Sequence, residues 1–245
     1  MRVREPAKQP AEAPPELHDD AAALRTLPFA DRALTLMLFV LVVDIFLVIP
    51  LSELTAGSRH WSHIVLMGVL VLSALMIWGN LWLTDIFVAM AIACIATRIA
   101  LVFWGNEIFE FAGYVMATGT FTILGYLIGR RVFAPGRINK HRVEGALALY
   151  LLAGMILSQI FLFISLNNPG AFLLLGHPAS HEEISGSLNY YAFVSITTLG
   201  FGDITPVHPL ARSFTLLGAV FGTMYPAILI GRLVSLQGRV AQVGR

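Results

Sequence analysis

The sequence has little charge and almost no cysteine. Asp, Glu, Lys and Arg together make up 13% of the 245 residues, about half of the share found in an ordinary soluble domain. The single cysteine, Cys94, excludes an intrachain disulfide and a cysteine metal cluster. The GxxxxGK[ST] phosphate loop and the HExxH zinc pair are also missing. A soluble single-core protein is excluded, and we predict that the chain is not an enzyme.

Apolar sequence is abundant and falls in long blocks. Hydrophobic residues make up 57% of the chain, and six blocks approach the roughly 20 residues that a helix needs to cross a bilayer. The blocks run over residues 33–51, 61–83, 86–104, 111–129, 146–166 and 211–233. This pattern predicts an all-α membrane protein with six transmembrane helices. The Pro- and Ala-rich residues 1–32 lack apolar periodicity, so we predict a disordered arm.

Lys and Arg residues set the expected orientation. Five lie in residues 1–32, five in residues 130–145, and three after residue 231. With six spans, all three groups are on one side of the membrane, and short cytoplasmic segments are rich in Lys and Arg. The sequence therefore predicts cytoplasmic termini and a multi-pass protein of the cell (plasma or inner) membrane.

The segment between the last two blocks is too short to span a membrane. Residues 188–198 (LNYYAFVSITT) form an apolar stretch of 11 residues, which is followed by two glycines that alternate with bulky residues. Ser187 is a candidate N-cap for this helix. A helix that enters a bilayer and returns as extended backbone is tolerated only where that backbone is buried or lines an aqueous path. We therefore expect this segment to line a water-filled path.

Residues 197–203, with the sequence TTLGFGD, carry a resemblance. They resemble the selectivity filter of potassium channels, TTVGYGD, with Leu for Val and Phe for Tyr. The resemblance covers roughly residues 146–235, and the layout is similar to that of bacterial six-transmembrane, one-pore potassium channels. It implies a pore helix and filter between helices five and six, a homotetramer in membrane lipid, and no nucleic-acid partner or cofactor other than K⁺ ions.

The resemblance also assigns residues. Glycines adopt backbone angles that are closed to other residues, so consecutive carbonyls can face one axis and replace the hydration shell of K⁺. The implied ion-binding residues are Thr198, Leu199, Gly200, Phe201 and Gly202, with K⁺ held at the first four. The implied supporting residues are Thr197, Asp203, Tyr190 and Tyr191. Phe201 lacks the phenolic hydroxyl of the resembled filters, and Val194 stands where many relatives have an acid, so Asp203 has no evident partner from the pore helix.

These expectations divide the chain into five parts. We predict a cytoplasmic arm (1–32), a voltage-sensor-like four-helix domain without gating arginines (33–132), a linker (133–145), a pore domain (146–235) and a short cytoplasmic tail (236–245). The predicted function is passive K⁺ conduction with weak or no voltage gating. The alternatives are a poorly selective cation channel and, from another class, a secondary transporter or accessory membrane protein with GFGD as a helix break at a substrate site.

Three further groups of residues are candidates for a specific role. In the sixth block, Gly218, Gly222 and Pro226 fit either a gating hinge or close helix packing. Asp44 and Arg98 are ionisable groups at matching membrane depth, for which we expect a salt bridge, with Glu110 as a second possible partner of Arg98. The outer histidines are either solvated or sensors of pH; they are His177, His181 and His208.

Overall fold

The computed structural model describes residues 27–54, 82–133 and 140–243. In these ranges, five helices are long and apolar enough to cross a membrane. They belong to a first helical segment made of α1 (Leu27–Val43), a π-helical turn (Asp44–Val48) and α2 (Ile49–Leu54), and to α3 (Trp82–Trp104), α4 (Glu107–Val132), α5 (Lys140–Asn167) and α8 (Pro209–Val243). Nearly all of the predicted second span, together with residues 1–26 of the predicted arm, lies outside the described residues.

A tight turn joins α3 to α4. Gly105 has a φ of 60°, and the Asn106 side chain accepts a hydrogen bond of 2.9 Å from the backbone N–H of Ile108. This N-cap, with Glu107 and Glu110 in the first turn, favours a helix start because it satisfies orphan donors and complements the helix dipole. The helix therefore begins at residue 107, four residues before the apolar block predicted from hydropathy.

The first hydrophobic core lies between the first helical segment, α3, α4 and α5. Its fully buried side chains include Met37, Leu41, Phe87, Phe121, Leu124 and Leu152. Both α1 and α4 pack along α5, and α3 packs along α4. The four-helix part of the chain therefore shares a core with the helix that begins the predicted pore domain.

The second core lies between α5, α8 and the segment that connects them. This segment contains β1 (Phe172–Leu174), β2 (His177–Pro178), α6 (His181–Ile184), α7 (Leu188–Ile196) and β3 (Ile204–Pro206). The strands form an antiparallel sheet in the order β2-β1-β3. Leu175 and Gly176 both have positive φ, as a two-residue type I′ hairpin requires. Because β1 pairs with β3, the chain before α7 is held against the chain that follows residues 197–203.

Candidate ion-conduction site

The predicted filter segment begins where α7 ends. This helix covers nine residues and ends at Ile196, two residues before the predicted end. The N–H of Thr198 donates to the Ser195 carbonyl (3.1 Å), and the N–H of Leu199 donates to the Val194 carbonyl (3.0 Å). These two bonds form a Schellman C-cap, which needs a left-handed residue at the first position beyond the cap. The Ser187 side chain, at the other end, makes no capping hydrogen bond.

The residue in that left-handed position is Thr198, with a φ of 60°. Glycine is the usual residue there, because a left-handed conformation strains a residue that carries a Cβ. Strained backbone of this kind is found mostly at functional sites, where the surrounding structure holds it. A threonine here is consistent with a role for its hydroxyl group that glycine could not fill.

Beyond Thr198, the sign of the backbone angle φ alternates from one residue to the next. Gly200 has a φ of 58° and Gly202 a φ of 81°, whereas Leu199 and Phe201 have no positive φ. Every second residue from 198 to 202 is thus left-handed, and glycine occupies two of the three positions. Such a backbone can present consecutive carbonyl groups to one side.

This segment is uncovered in a single chain. Residues 197–202 are all exposed, and the apolar side chains of Leu199 and Phe201 are 61% and 66% exposed. One face of α8 is also rich in exposed apolar side chains, namely Leu216, Leu217, Val220, Met224 and Ile228. In a membrane an apolar helix face packs against lipid or another helix, whereas exposed polar backbone needs a protein or aqueous partner.

Tyr190 contacts both the aromatic residue and the acid of this segment. Its ring stacks on Phe201 with centroids 6.4 Å apart and ring planes 1° from parallel. Partial desolvation, followed by the hydrogen bond and negative charge of Asp203, raises the pKa of Tyr190 above its ordinary value of 10.0. The expectation that α7 offers Asp203 no evident partner considered only position 194, where the valine is buried. Tyr190, four residues earlier and already among the implied supporting residues, is the polar neighbour that α7 brings to Asp203.

Tyr191 braces α7 against α8 rather than against the predicted filter. Its ring is buried against Phe161 and Phe172, with centroids 5.0 and 5.6 Å away. Its hydroxyl lies 2.8 Å from the Thr215 hydroxyl, which itself donates to the Ala211 carbonyl. The tyrosine is therefore the donor, and the bond joins the short helix to the last helix.

Close helix packing explains two of the three residues considered for a hinge. A Cβ built on Gly222 would lie 1.6 Å from the Ile196 carbonyl oxygen, and one on Gly218 would lie 2.6 Å from Leu157. Both glycines thus let α8 approach its neighbours closely. Pro226 lies inside α8, which continues without interruption to Val243. The hinge itself stays a prediction.

The structure does not bring Asp44 and Arg98 into an ion pair. Both are buried, at 5% and 4% exposure, but Asp44 Oδ2 and Arg98 Nε have no hydrogen-bond partner among the described residues. The Arg98 guanidinium instead lies over the Tyr114 ring, 4.9 Å from its centroid, and against Gly113. The reason is packing: α1 lies along α5, whereas α3 lies along α4, so equal depth does not produce contact.

Glu110, the predicted second partner of Arg98, contacts His181 and Tyr114 instead. Glu110 Oε1 lies 3.2 Å from His181 Nε2 and accepts a 2.8 Å hydrogen bond from the Tyr114 hydroxyl. His177 is exposed, and His208 accepts a hydrogen bond from the Leu210 N–H. Of the three outer histidines, His181 alone lies within ion-pair distance of a carboxylate among the described residues. Sequence reasoning missed this pair because its members are 71 residues apart.

Part of the chain is similar to a known protein family. Residues 149–237 match the model of a family described as "Ion channel". These residues are similar to an ion channel domain. The match begins in α5 and ends in α8, so it contains the sheet, α7 and the whole of the alternating segment. No curated protein and no solved structure gives a match to the chain.

The channel domain supports passive ion conduction. An ion channel family is not an enzyme family, which confirms the prediction that the chain is not an enzyme. The five apolar helices of the described residues are consistent with a helical membrane channel. No group of three or more His, Cys, Asp or Glu side chains that could hold a metal ion is present in residues 27–54, 82–133 and 140–243.

Proposed function

We propose that the protein is a homotetrameric, K⁺-selective channel of a plasma or inner membrane, with cytoplasmic termini. The observation that carries this proposal is the alternating left-handed backbone at Thr198, Gly200 and Gly202, inside the matched channel domain. Its carbonyls at residues 198–201, together with the Thr198 hydroxyl, would replace the hydration shell of K⁺. Resemblance to the TTVGYGD filter supports the same ion.

The same segment supports an assembly of several copies, and the resemblance to potassium channels implies that there are four. One chain contributes one filter strand, and the rings of carbonyls that coordinate K⁺ need several strands around one axis. The exposure of residues 197–202 and of the apolar α8 face supports such an axis, because copies of the chain would cover both. The helix dipole of α7 would direct its negative C-terminal end toward the ions.

A poorly selective cation channel is a second candidate, and Phe201 is the observation that favours it. Its ring is 66% exposed, and it has no hydroxyl with which to hold the filter at a fixed width. The stacking of Tyr190 on Phe201 and the Tyr190 contact with Asp203 oppose this candidate, since they supply another means of support.

Ion flux from liposomes tests the proposal. We expect K⁺-loaded liposomes that contain the purified protein to release K⁺ much faster than Na⁺-loaded liposomes release Na⁺, and external Ba²⁺ to block the K⁺ flux. Equal fluxes of the two ions would favour the poorly selective channel. A protein that runs as a monomer in native lipid would contradict both candidates.

A further inference from the structure

A cluster of polar side chains joins α4 and α5 to the start of α6. It consists of Glu110, Tyr114, Ser165 and His181. The His181 ring is at its centre: Nε2 lies 3.2 Å from Glu110 Oε1 and 3.3 Å from the Tyr114 hydroxyl, and Nδ1 lies 2.6 Å from Ser165 Oγ. The His181 side chain is only 13% exposed and that of Glu110 25%. The cluster therefore links the four-helix part of the chain to the channel domain.

The hydrogen bonds of the neighbours determine which form of His181 fits. The Ser165 hydroxyl donates to the Leu162 carbonyl at 3.0 Å, and the Tyr114 hydroxyl donates to Glu110. While Ser165 donates to Leu162, both ring nitrogens of His181 face oxygen lone pairs. A neutral imidazole has one N–H and one acceptor nitrogen, whereas the imidazolium has two N–H donors. The charged form keeps all of these hydrogen bonds, whereas with a neutral ring protonated on Nε2 the Ser165 hydroxyl must turn from Leu162 to donate to Nδ1.

The charged groups around His181 are of both signs, and a carboxylate is the nearest. From α4, the Glu110 carboxylate is the nearest charge and the Tyr114 phenol is neutral. From α3, the Arg98 guanidinium lies over the Tyr114 ring. From α6 itself, Glu182 and Glu183 follow directly in sequence, and α5 contributes the uncharged Ser165. A proton on His181 thus gains a carboxylate at 3.2 Å in a partly buried site, where an ion pair is screened less than at the surface.

A continuous set of backbone contacts connects this site to the proposed filter. The Ala179 N–H donates to the Phe172 carbonyl (3.2 Å), which fixes the start of α6 against β1. Strand β1 pairs with β3, and the Leu175 N–H donates to the Asp203 carbonyl (2.8 Å). Movement of His181 would therefore displace the sheet that holds the end of residues 198–203.

We propose that His181 is a proton-binding site that fastens the sheet at the pore mouth to α4 when the adjoining solution is acidic. Histidine is the side chain whose charge changes within the physiological pH range. With the second proton bound, the imidazolium bridges Glu110 and Ser165, and without it the bridge loses its charge and one hydrogen bond. The proton site stands on the contacts alone; its effect on conduction rests on the proposed function.

Thermal unfolding of the full chain in lipid nanodiscs tests the proton site. We expect the wild type to gain about 3 °C in Tm at pH 5.5 relative to pH 8.0, as a change of about 1 kcal/mol would give, and Glu110→Gln and Ser165→Ala to reduce this gain. The pKa of Glu183 is lowered by the hydrogen bond from the Ser180 backbone N–H, so that group loses its contribution only below about pH 4.5, outside the window. The matched control is His177→Gln, which changes an exposed histidine in strand β2. This variant should keep the full gain.

Retention of the full pH-dependent gain by both Glu110→Gln and Ser165→Ala would overturn the proton site. A second measurement addresses conduction: at pH 6 on the pore-mouth side we expect the current to decay more slowly than at pH 8, and Glu110→Gln to remove that difference. An identical pH dependence in this variant and the wild type would overturn the control of conduction. If no ion flux exists at all, the proposed function fails, while the unfolding comparison still decides the proton site.

Discussion

At the residue scale, Gly222 packs directly against the carbonyl of Ile196. A Cβ at residue 222 would overlap a backbone oxygen, which no side-chain rotation can relieve. Gly222→Ala is therefore expected to destabilise the protein by about 1 to 3 kcal/mol, the usual cost of overpacking. Gly231→Ala is the matched control, because a Cβ there meets nothing within 4 Å in the single chain and alanine favours a helix. Unfolding midpoints and tetramer yield measure the difference, and equal behaviour of the two variants would contradict the packing.

Tyr190 is the second residue with a specific role. Tyr190→Phe keeps the ring that stacks on Phe201 but removes the hydroxyl that contacts Asp203. We expect this variant to form the channel and to lose conduction faster during sustained opening, because the end of the filter is held less firmly. Tyr126→Phe, on the exposed face of α4, is the control. Current decay in planar bilayers is the measurement, and identical decay in Tyr190→Phe and the wild type would show that the hydroxyl does not support the filter.

At the element scale, α4 carries no basic residue before its last turn. Arg130 and Arg131 lie there, and the Arg130 guanidinium lies 5.9 Å from the Tyr126 ring centroid. Steep voltage gating needs about three to four charges per subunit that cross the field. We therefore expect open probability to change weakly with voltage. A conductance-voltage curve that requires more than about four elementary charges per tetramer would contradict this expectation.

The separate packing of α1 and α3 predicts the result of a double-mutant cycle. Among the described residues, Asp44 and Arg98 are both buried and share neither an ion pair nor a common partner. Residues of this kind usually have additive effects within about 0.5 kcal/mol. The losses of stability from Asp44→Asn and Arg98→Gln should therefore add in the double variant. A double variant that is markedly more stable than additivity allows would mean that the two charges do meet.

How much of these elements the sequence predicts depends on the range of the interactions that form them. Hydropathy alone places the end of α5 and the start of α8 within two residues, because apolar sequence stops and starts there. It misses the polar first turns of α5 and the polar last turns of α8, which lie outside the apolar blocks. The short pairing of β1 with β3 escapes prediction, since its partners are about 30 residues apart and neither strand exceeds three residues. The position of Asp44 and Arg98 within apolar blocks indicates that both are at membrane depth. It does not indicate which face of each helix carries the side chain. The alternating glycines are visible in the sequence, whereas the left-handed Thr198 is not.

At the scale of the whole molecule, the exposed filter segment predicts an assembly of several copies. Lipid can cover an apolar helix face in a bilayer, whereas the polar backbone of the uncovered residues 197–202 must be buried in protein or line a water-filled path. We expect native mass spectrometry from lipid nanodiscs to give the mass of four chains of 26.7 kDa each. Leu216→Ser with Val220→Ser, on the exposed face of α8, should shift the assembly to smaller species. A monodisperse dimer or monomer in the wild type would contradict the tetramer.

The central claim is that the carbonyls of residues 198–201 select K⁺, and a reversal potential tests it most directly. With K⁺ on one side of a planar bilayer and Na⁺ on the other, we expect a displacement toward the K⁺ equilibrium potential of more than about 59 mV, which corresponds to a tenfold permeability ratio. Gly200→Ala should abolish the current, because a Cβ strains the left-handed conformation at this position. A wild-type reversal potential near zero would contradict the account.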